Sequence, residues 1–565
     1  MTAQLVEEPV VNPADVWTAH TLSAAKRFLK SAVVIDNQPY VSPVRVPLLI
    51  TPVDSGLDHP VGDLVVPEDD GRLTMSEDEF AHILDVRKIS DAFAEEGMAC
   101  AFVLPDDSDP DVETIERRVL SSSKISDIVV IDWYLRDDNP VFTLKMLEKI
   151  ASDDVGERGR MRLICVYTGQ PLDGAMFAGV KEAIGRGGIH LRDVDGHLYA
   201  AKSSSCIVVL LNKTEVVPSE LSKFLVARFA IFADGLLPSF ALAAIGAIRK
   251  NIHHMVTRFG KELDSAYIAN RLISDPPEDV AEMMRELLVS ECDSALGLES
   301  VADNFLDVLP IRNWIEANSE RLAPQIIGEG RSVDKRLLLL LLSNGIQKKG
   351  VLDENNALFK LPENHRKKVS VALAGSAETS KRSEFDFARL VVFKREAFGG
   401  TKLTGNEGWL PSLTTGTLLK IESVGDSPSK YYICLTPACD TLRLPCDTPF
   451  VFLEAMVNPE CFSVIVREEG NIDTGLFFER DRPYISTFVF SPDLAVGRIR
   501  GRKVRVVEEN PVFGFVTSDG LTNFVWLGEV RYARAASEMA RLVQNWMRIG
   551  ISDSEYLRQT EKGSF

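Results

Sequence analysis

Asp36, Asp132, Thr168 and Lys213 each close a short apolar run, and together they are the residues of this chain best suited to chemistry. The runs are Ala32-Val-Val-Ile-Asp36, Ile128-Val-Val-Ile-Asp132, Arg162-Leu-Ile-Cys-Val-Tyr-Thr168 and Cys206-Ile-Val-Val-Leu-Leu-Asn-Lys213. Continuous Ile and Val without polar alternation suit strands covered on both faces, as in a parallel sheet flanked by helices. The carboxyl ends of such strands converge on one crevice. Two carboxylates there offer hard oxygen ligands of the kind Mg²⁺ accepts while keeping several waters. A hydroxyl and an ammonium beside them suit phosphoryl oxygens.

The elements that must position these residues are legible around them. Residues 14 to 30 read as a helix leading into the first run, and Asp111 to Leu120 as a helix leading to the run that ends on Asp132. A helix from Ser76 to Phe93 feeds the apolar strand Met98 to Leu104. Asn139 followed by Pro140 reads as a helix start, with Asn139 as the cap. Strand and helix alternate as a doubly wound α/β sheet requires.

This order of residues resembles the receiver domain of response regulators, the phospho-accepting half of two-component signalling. The resemblance covers roughly residues 1–215, with an insertion near 41–84, and implies a flavodoxin-like fold. It implies that Asp132 accepts a phosphoryl group, that Asp36, Asp132 and the backbone carbonyl of Tyr134 hold Mg²⁺, and that Thr168 and Lys213 bind the phosphoryl oxygens. A histidine kinase or kinase-like ATPase is the implied partner. Two positions depart from the family pattern. Asp36-Asn37 stands where two adjacent acids are usual, and Leu210 where a Tyr or Phe switch often precedes the lysine by three residues. With its long insertion the chain looks like a divergent receiver of the kind found in bacterial conflict and antiviral defence operons. The departures also support a second reading, a pseudo-receiver scaffold that is never phosphorylated and acts through protein partners.

Beyond the receiver, residues 216–362 read as an all-α region with helical periodicity, and 363–384, rich in Lys, Ser and Ala, as a linker. Residues 385–565 read as a β-rich domain of short strands between Gly-, Pro- and Asp-rich turns. An apolar face from Tyr532 to Ile549 predicts a closing helix stopped at Gly550, with Ser552 to Glu555 as a capping box for a last short turn.

Two motifs in this last region carry other chemistry. Cys434, Cys439, Cys446 and Cys461 could supply a Cys₄ zinc site, but the spacing between Cys434 and Cys439 is loose, and zinc is disfavoured. Arg498, Arg500, Arg502, Lys503 and Arg505 crowd basic charge into one stretch, with alternating arginines suited to phosphates on one strand face. A nucleic-acid-binding effector is therefore a third reading. The formal charge of -19 weighs against it.

Hydrophobic content of 45% and charged content of 26% are those of a globular chain with substantial cores. No basic-then-apolar leader opens the sequence and no apolar run is long enough to span a membrane, so a cytoplasmic protein is expected. A homodimer is left open. No nucleophile–base pair assembles outside the receiver, so no enzymatic activity is expected beyond phosphoryl transfer and self-dephosphorylation at Asp132.

Overall fold

A computed structural model describes most of residues 12–546; the largest internal stretches outside the described residues are 42–82, 106–110 and 394–409, and 1–11 and 547–565 also lie outside. The expected helix start at Ser76, nearly all of the 41–84 insertion, Gly550 and the Ser552–Glu555 cap thus fall beyond what is described. The chain divides into two compact units, Met1–Ser319 and Glu320–Phe565.

The first unit opens with helix α1 (Pro13–Phe28), started by Asn12, whose side chain accepts from the Ala14 amide, and by proline in its first turn. Strand β1 (Ser31–Ile35) follows. The short strands β2 (Pro39–Tyr40) and β3 (Leu84–Asp85) pair with each other on either side of the insertion. Then come α2 (Val86–Glu95), β4 (Ala99–Val103), α3 (Val112–Ile125), β5 (Ile128–Ile131), α4 (Val141–Gly156), β6 (Arg162–Thr168) and α5 (Gly174–Arg186). The long turn expected between α5 and the last strand instead contains two strands, β7 (Arg192–Asp193) and β8 (Ala200–Lys202), ahead of β9 (Cys206–Asn212).

The sheet order is β4-β1-β5-β6-β9-β8-β7. Its first five strands are parallel, while β8 runs antiparallel to β9 and β7 antiparallel to β8. Numbered by their order in the chain, the parallel strands read 2-1-3-4-5, the flavodoxin-like order. Strands β1, β5, β6 and β9 are almost wholly buried, which explains their unbroken apolar sequences.

Each face of the sheet carries a core. Helices α3, α4 and α5 cover one, around Val119, Met146, Leu147, Ile150 and Val180. The other face is covered by α1, α2 and, of the helices that follow β9, by α6 (Leu221–Phe229), α7 (Leu236–Thr257), the end of α9 (Glu278–Leu298) and α10 (Val301–Leu306), while among the described residues α8 (Asp264–Ile273) and α11 (Val308–Ala317) add none to that core. Phe229, Leu242, Val301 and Phe305 from this helical region share one core with Val34, Val130 and Leu163 of the sheet. The helical stretch beyond residue 215 is therefore packed into the receiver sheet's own core as far as α10. Among the described residues no helix is long and apolar enough to cross a membrane.

The second unit begins with two small hairpins, β10 (Gln325–Gly328) with β11 (Arg331–Val333) and β12 (Gly350–Leu352) with β13 (Leu358–Lys360), separated by α12 (Lys335–Asn344). The six-leucine run lies in α12, where Leu337 and Leu338 are buried. Residues 363–384, expected as a linker, are largely helical: α13 (Lys367–Ala374) and α14 (Ala377–Arg389) occupy them. Gly375 ends α13 in the left-handed conformation, and the Ser376 side chain caps α14 by accepting from the Thr379 amide. Those small polar residues, read as linker composition, are helix punctuation.

After β14 (Val392–Phe393) come β15 (Thr417–Ile421), β16 (Lys430–Cys434), β17 (Thr448–Val457), β18 (Val464–Arg467), β19 (Asp473–Phe478), β20 (Ile485–Phe490), β21 (Arg502–Val507), β22 (Asn510–Val516) and β23 (Asn523–Val530). They form one ten-stranded antiparallel sheet, ordered β18-β19-β17-β16-β15-β23-β22-β21, with β14 on β23 and β20 on β17. Residues 388–389, at the start of the region read as β-rich, still belong to α14. The closing helix α15 (Tyr532–Trp546) is present. One core lies around Leu418, Ile433, Phe478 and Leu542. A second, largely aromatic, holds Phe450, Phe452, Phe490, Phe515, Phe524 and Trp526.

Candidate functional site

Parallel pairing places the four sequence-nominated residues at one pole of the first sheet. The Asp132 amide donates to the Ile35 carbonyl at 2.9 Å, continuing the β1–β5 ladder and setting Asp132 beside Asp36. Thr168 is the last residue of β6, opposite Asn212 of β9, and its carbonyl accepts from the Lys213 amide at 2.8 Å. The Lys213 ammonium lies 2.8 Å from Asp36 Oδ2 and 2.9 Å from Asp132 Oδ1, so a single cation joins the two carboxylates.

All four residues are buried, Asp132 being 9% exposed and Asp36 2%. Unpaired carboxylates at that depth would be costly. Burial pushes Asp36 up to about 6, with Lys213 pulling it down and Asp132 pushing it further up. Burial opposes the charge on Lys213, but Asp36 and Asp132 outweigh it and hold the ammonium above its ordinary value.

The carboxylates are only partly committed to protein donors. Asp36 Oδ1 accepts from the Gln38 amide and Asp132 Oδ2 from the Tyr134 amide, both at 2.8 Å. The Thr168 hydroxyl accepts from the Gln170 amide at 3.1 Å, which leaves its own proton to donate elsewhere. The helix start expected at Asn139-Pro140 falls one residue later: α4 begins at Val141 with Pro140 in the cap position, and the Asn139 side chain accepts from the Val141 amide at 3.0 Å.

Three supporting residues were missed from sequence. Thr143, fully buried in the first turn of α4, donates its hydroxyl to the Asp132 carbonyl at 2.9 Å. The Tyr167 ring lies 5.8 Å from the Lys213 ammonium, and its hydroxyl donates to the Val216 carbonyl at 2.6 Å. Asn212 donates to the Gln170 carbonyl at 2.7 Å, tying the loop after Thr168 to the end of β9. Tyr167 and Asn212 directly precede Thr168 and Lys213, and Thr143 follows Asp132 by eleven residues; that proximity in sequence is the signal they carry.

Two carboxylates converging on one cation, with hard oxygens as donors, fit a small divalent metal that keeps waters of its own. Among the described residues no group of three or more His, Cys, Asp or Glu side chains is placed to hold a metal. The remaining ligands would therefore have to be a backbone carbonyl, such as that of Tyr134, and water or phosphoryl oxygens.

The other nominated residues do not assemble a site. Cys434 is buried within β16, whereas Cys439, Cys446 and Cys461 are exposed. Arg498 and Arg500 precede β21 rather than alternating along it. Arg505 is held by Glu422 and Glu469, Arg502 by Asn523, and Arg500 lies 3.8 Å from Asp493. Two of the five, Arg500 and Arg505, thus face carboxylates within the unit.

A five-stranded parallel core in 2-1-3-4-5 order carries two acids, a threonine and a lysine at its carboxyl pole, and its strand order is that of a flavodoxin-like domain. Comparison with protein families agrees: residues 28–218, about a third of the chain, match the model described as "Response receiver domain", and that segment is a receiver domain. A domain of that family suggests a response-regulator role in signalling. No curated protein matches the chain, and no solved structure does.

Proposed function

We propose that Asp132 accepts a phosphoryl group, with Mg²⁺ held by Asp36, Asp132 and the Tyr134 carbonyl, and that the modification controls the rest of the chain. The observation that carries this reading is the convergence of the Asp36 and Asp132 carboxylates on one buried cation at 2.8 and 2.9 Å. The carboxylate of Asp132 attacks phosphorus and the phosphodonor leaves; Mg²⁺ would offset the charge gathered on the transferred oxygens. Lys213 is drawn from the two carboxylates toward those oxygens, and the Thr168 hydroxyl donates to another. A histidine kinase or kinase-like ATPase supplies the phosphoryl group, in a cytoplasmic signalling system of the bacterial defence type. Inverting a 1:99 equilibrium requires about 5.5 kcal/mol of preference for the modified state, which several charge-assisted contacts can supply together.

The test is binding of beryllofluoride with Mg²⁺, a phosphoryl mimic, followed by the fluorescence of Trp133, which is buried next to Asp132. A saturable, Mg²⁺-dependent change that Asp132→Asn abolishes is expected. No change in the wild-type protein at high Mg²⁺ would remove phosphorylation and leave the second reading, a pseudo-receiver scaffold. That reading draws on the same contact: Lys213 already compensates both carboxylates, so the site has a stable resting state without metal.

A further inference from the structure

A second place on the receiver has binding character and is not used by the phosphoryl chemistry: the groove between β4 and α3. Strand β4 is the last strand of the sheet and, among the described residues, pairs only with β1. Among the described residues its outer backbone edge is thus open, and Ala99 and Ala101 are exposed. Open edges of this kind accept an added strand through main-chain hydrogen bonds.

Beside that edge lies a cavity of about 430 Å³. Its lining is partly apolar, with Phe102 from the strand, the exposed Leu104 just beyond the strand's end and Ile115 from the helix. Its rim is α3, which presents Arg117, Arg118, Ser121 and Ser122. The two arginines are exposed and form no ion pair among the described residues; the one recorded hydrogen bond is Arg117 to the Thr114 hydroxyl, at 3.4 Å. Elsewhere in this unit exposed cations are commonly committed: Lys145 and Lys149 pair with Glu116, and Arg186 with Glu148. Arg117 acts electrostatically on one nearby acid, Asp111, and two guanidinium groups without an ion pair among the described residues still favour an anionic occupant of the groove.

We propose that this groove binds an extended acidic peptide segment of a partner protein, added alongside β4. Spacing supports a peptide over a compact anion. Residues two apart in a strand are separated by about 6.6 Å, close to the ~5.4 Å rise of one helical turn. Carboxylates at alternate positions of the added strand can therefore meet an arginine of α3 and a serine hydroxyl one turn further on, while apolar residues between them pack over Phe102 and Leu104. The groove reaches Val103, whose carbonyl accepts from the Asp36 amide at 3.2 Å, so the occupant would lie one strand away from the phosphoryl site.

The probe is a random dodecapeptide display library selected on the immobilised full-length chain, with the enriched peptide then synthesised and its binding followed by fluorescence anisotropy. Enrichment of proline-free sequences with acids two residues apart is expected. Binding should weaken at least tenfold in the double variant Arg117→Glu/Arg118→Glu and weaken with added salt. A Leu104→Lys variant, which changes the apolar part of the lining and leaves both arginines in place, should also weaken it. Absence of enrichment, enrichment of neutral or basic sequences, or binding indifferent to the charge reversal would each overturn the proposal. The result is independent of beryllofluoride binding, so this inference and the phosphorylation reading fail separately.

Discussion

The two poles of the receiver sheet both bury a carboxylate against a cation, and they use it differently. At the amino pole Asp127, 4% exposed, accepts from the Lys30 and Ser31 amides, the Ser31 hydroxyl and two nitrogens of Arg249. At the carboxyl pole Asp36 and Asp132 each have one backbone donor and a share of Lys213. Asp127 is saturated by the fold and locks β1, β5 and α7 together. Asp36 and Asp132 share one ammonium and keep coordination to spare, which leaves room for another group. Burial and pairing alone do not mark a functional acid; the number of donors already committed to it separates the two cases.

The largest effect should come from Asp127→Ala. It strands the Lys30 and Ser31 amides and a partly buried Arg249, and should cost about 3 kcal/mol in denaturant unfolding. A cost under about 1 kcal/mol would break the contrast, because the amino pole would then be no more structural than the carboxyl one. Next is Gly246→Ala, at the α1–α7 crossing near Arg249. A Cβ there would lie 2.3 Å from the Arg27 carbonyl oxygen, so the helices must part, at about 1–3 kcal/mol in the same measurement.

Lys213→Ala sharpens the comparison from the other side. It leaves two carboxylates without their cation, so the variant should lose stability in metal-free buffer. Added Mg²⁺ should then raise its melting temperature more than that of the wild type, since no ammonium competes for the same oxygens. Equal Mg²⁺ responses would count against metal binding between Asp36 and Asp132.

Both poles carry pH dependence, through Asp36 at the carboxyl pole and Asp154 at the amino pole. Asp154 pairs with the buried Arg162 at 2.8 Å, yet burial pushes it up to about 6 against the pull of Arg162 and Arg160, with Asp153 adding to the rise. An unfolded aspartate releases its proton near 4, so between roughly pH 4 and 6 the folded chain binds more protons from this group. Its stabilising contribution is present in full below that window and is lost as pH rises through it. Asp154→Asn should flatten this part of the stability–pH curve; an unchanged slope would assign it to other groups. The smallest effect is expected for Arg505→Ala in the second unit. Its partners Glu422 and Glu469 are substantially exposed, so the loss should stay below about 1 kcal/mol by thermal unfolding.

The receiver was largely legible because its signals are local and repeated. Four apolar runs buried on both faces cannot alternate, and each ends where the chain must turn, so Asp36, Asp132, Thr168 and Lys213 stood out before any contact was known. Signals that depend on partners were not legible. The Gly185–Ser205 stretch reads as turn because β7 and β8 have only two and three residues; β9 recruits them through its open edge. The 363–384 segment reads as linker because α13 and α14 are divided by Gly375-Ser376, and only the cap hydrogen bond shows that pair to be a junction.

What the sequence determined by itself is the order of strands and helices in the receiver and the identity of the four residues at its strand ends. Both follow from hydrophobic periodicity and from the chain's need to turn where a run stops. The tertiary structure decided that one ammonium bridges Asp36 and Asp132, that Thr143 and Tyr167 support the site, and that Arg505 is clamped rather than available. Each of these joins residues distant in sequence through distances of a few ångströms. Only strand register and helix packing fix such distances, and no local pattern encodes them.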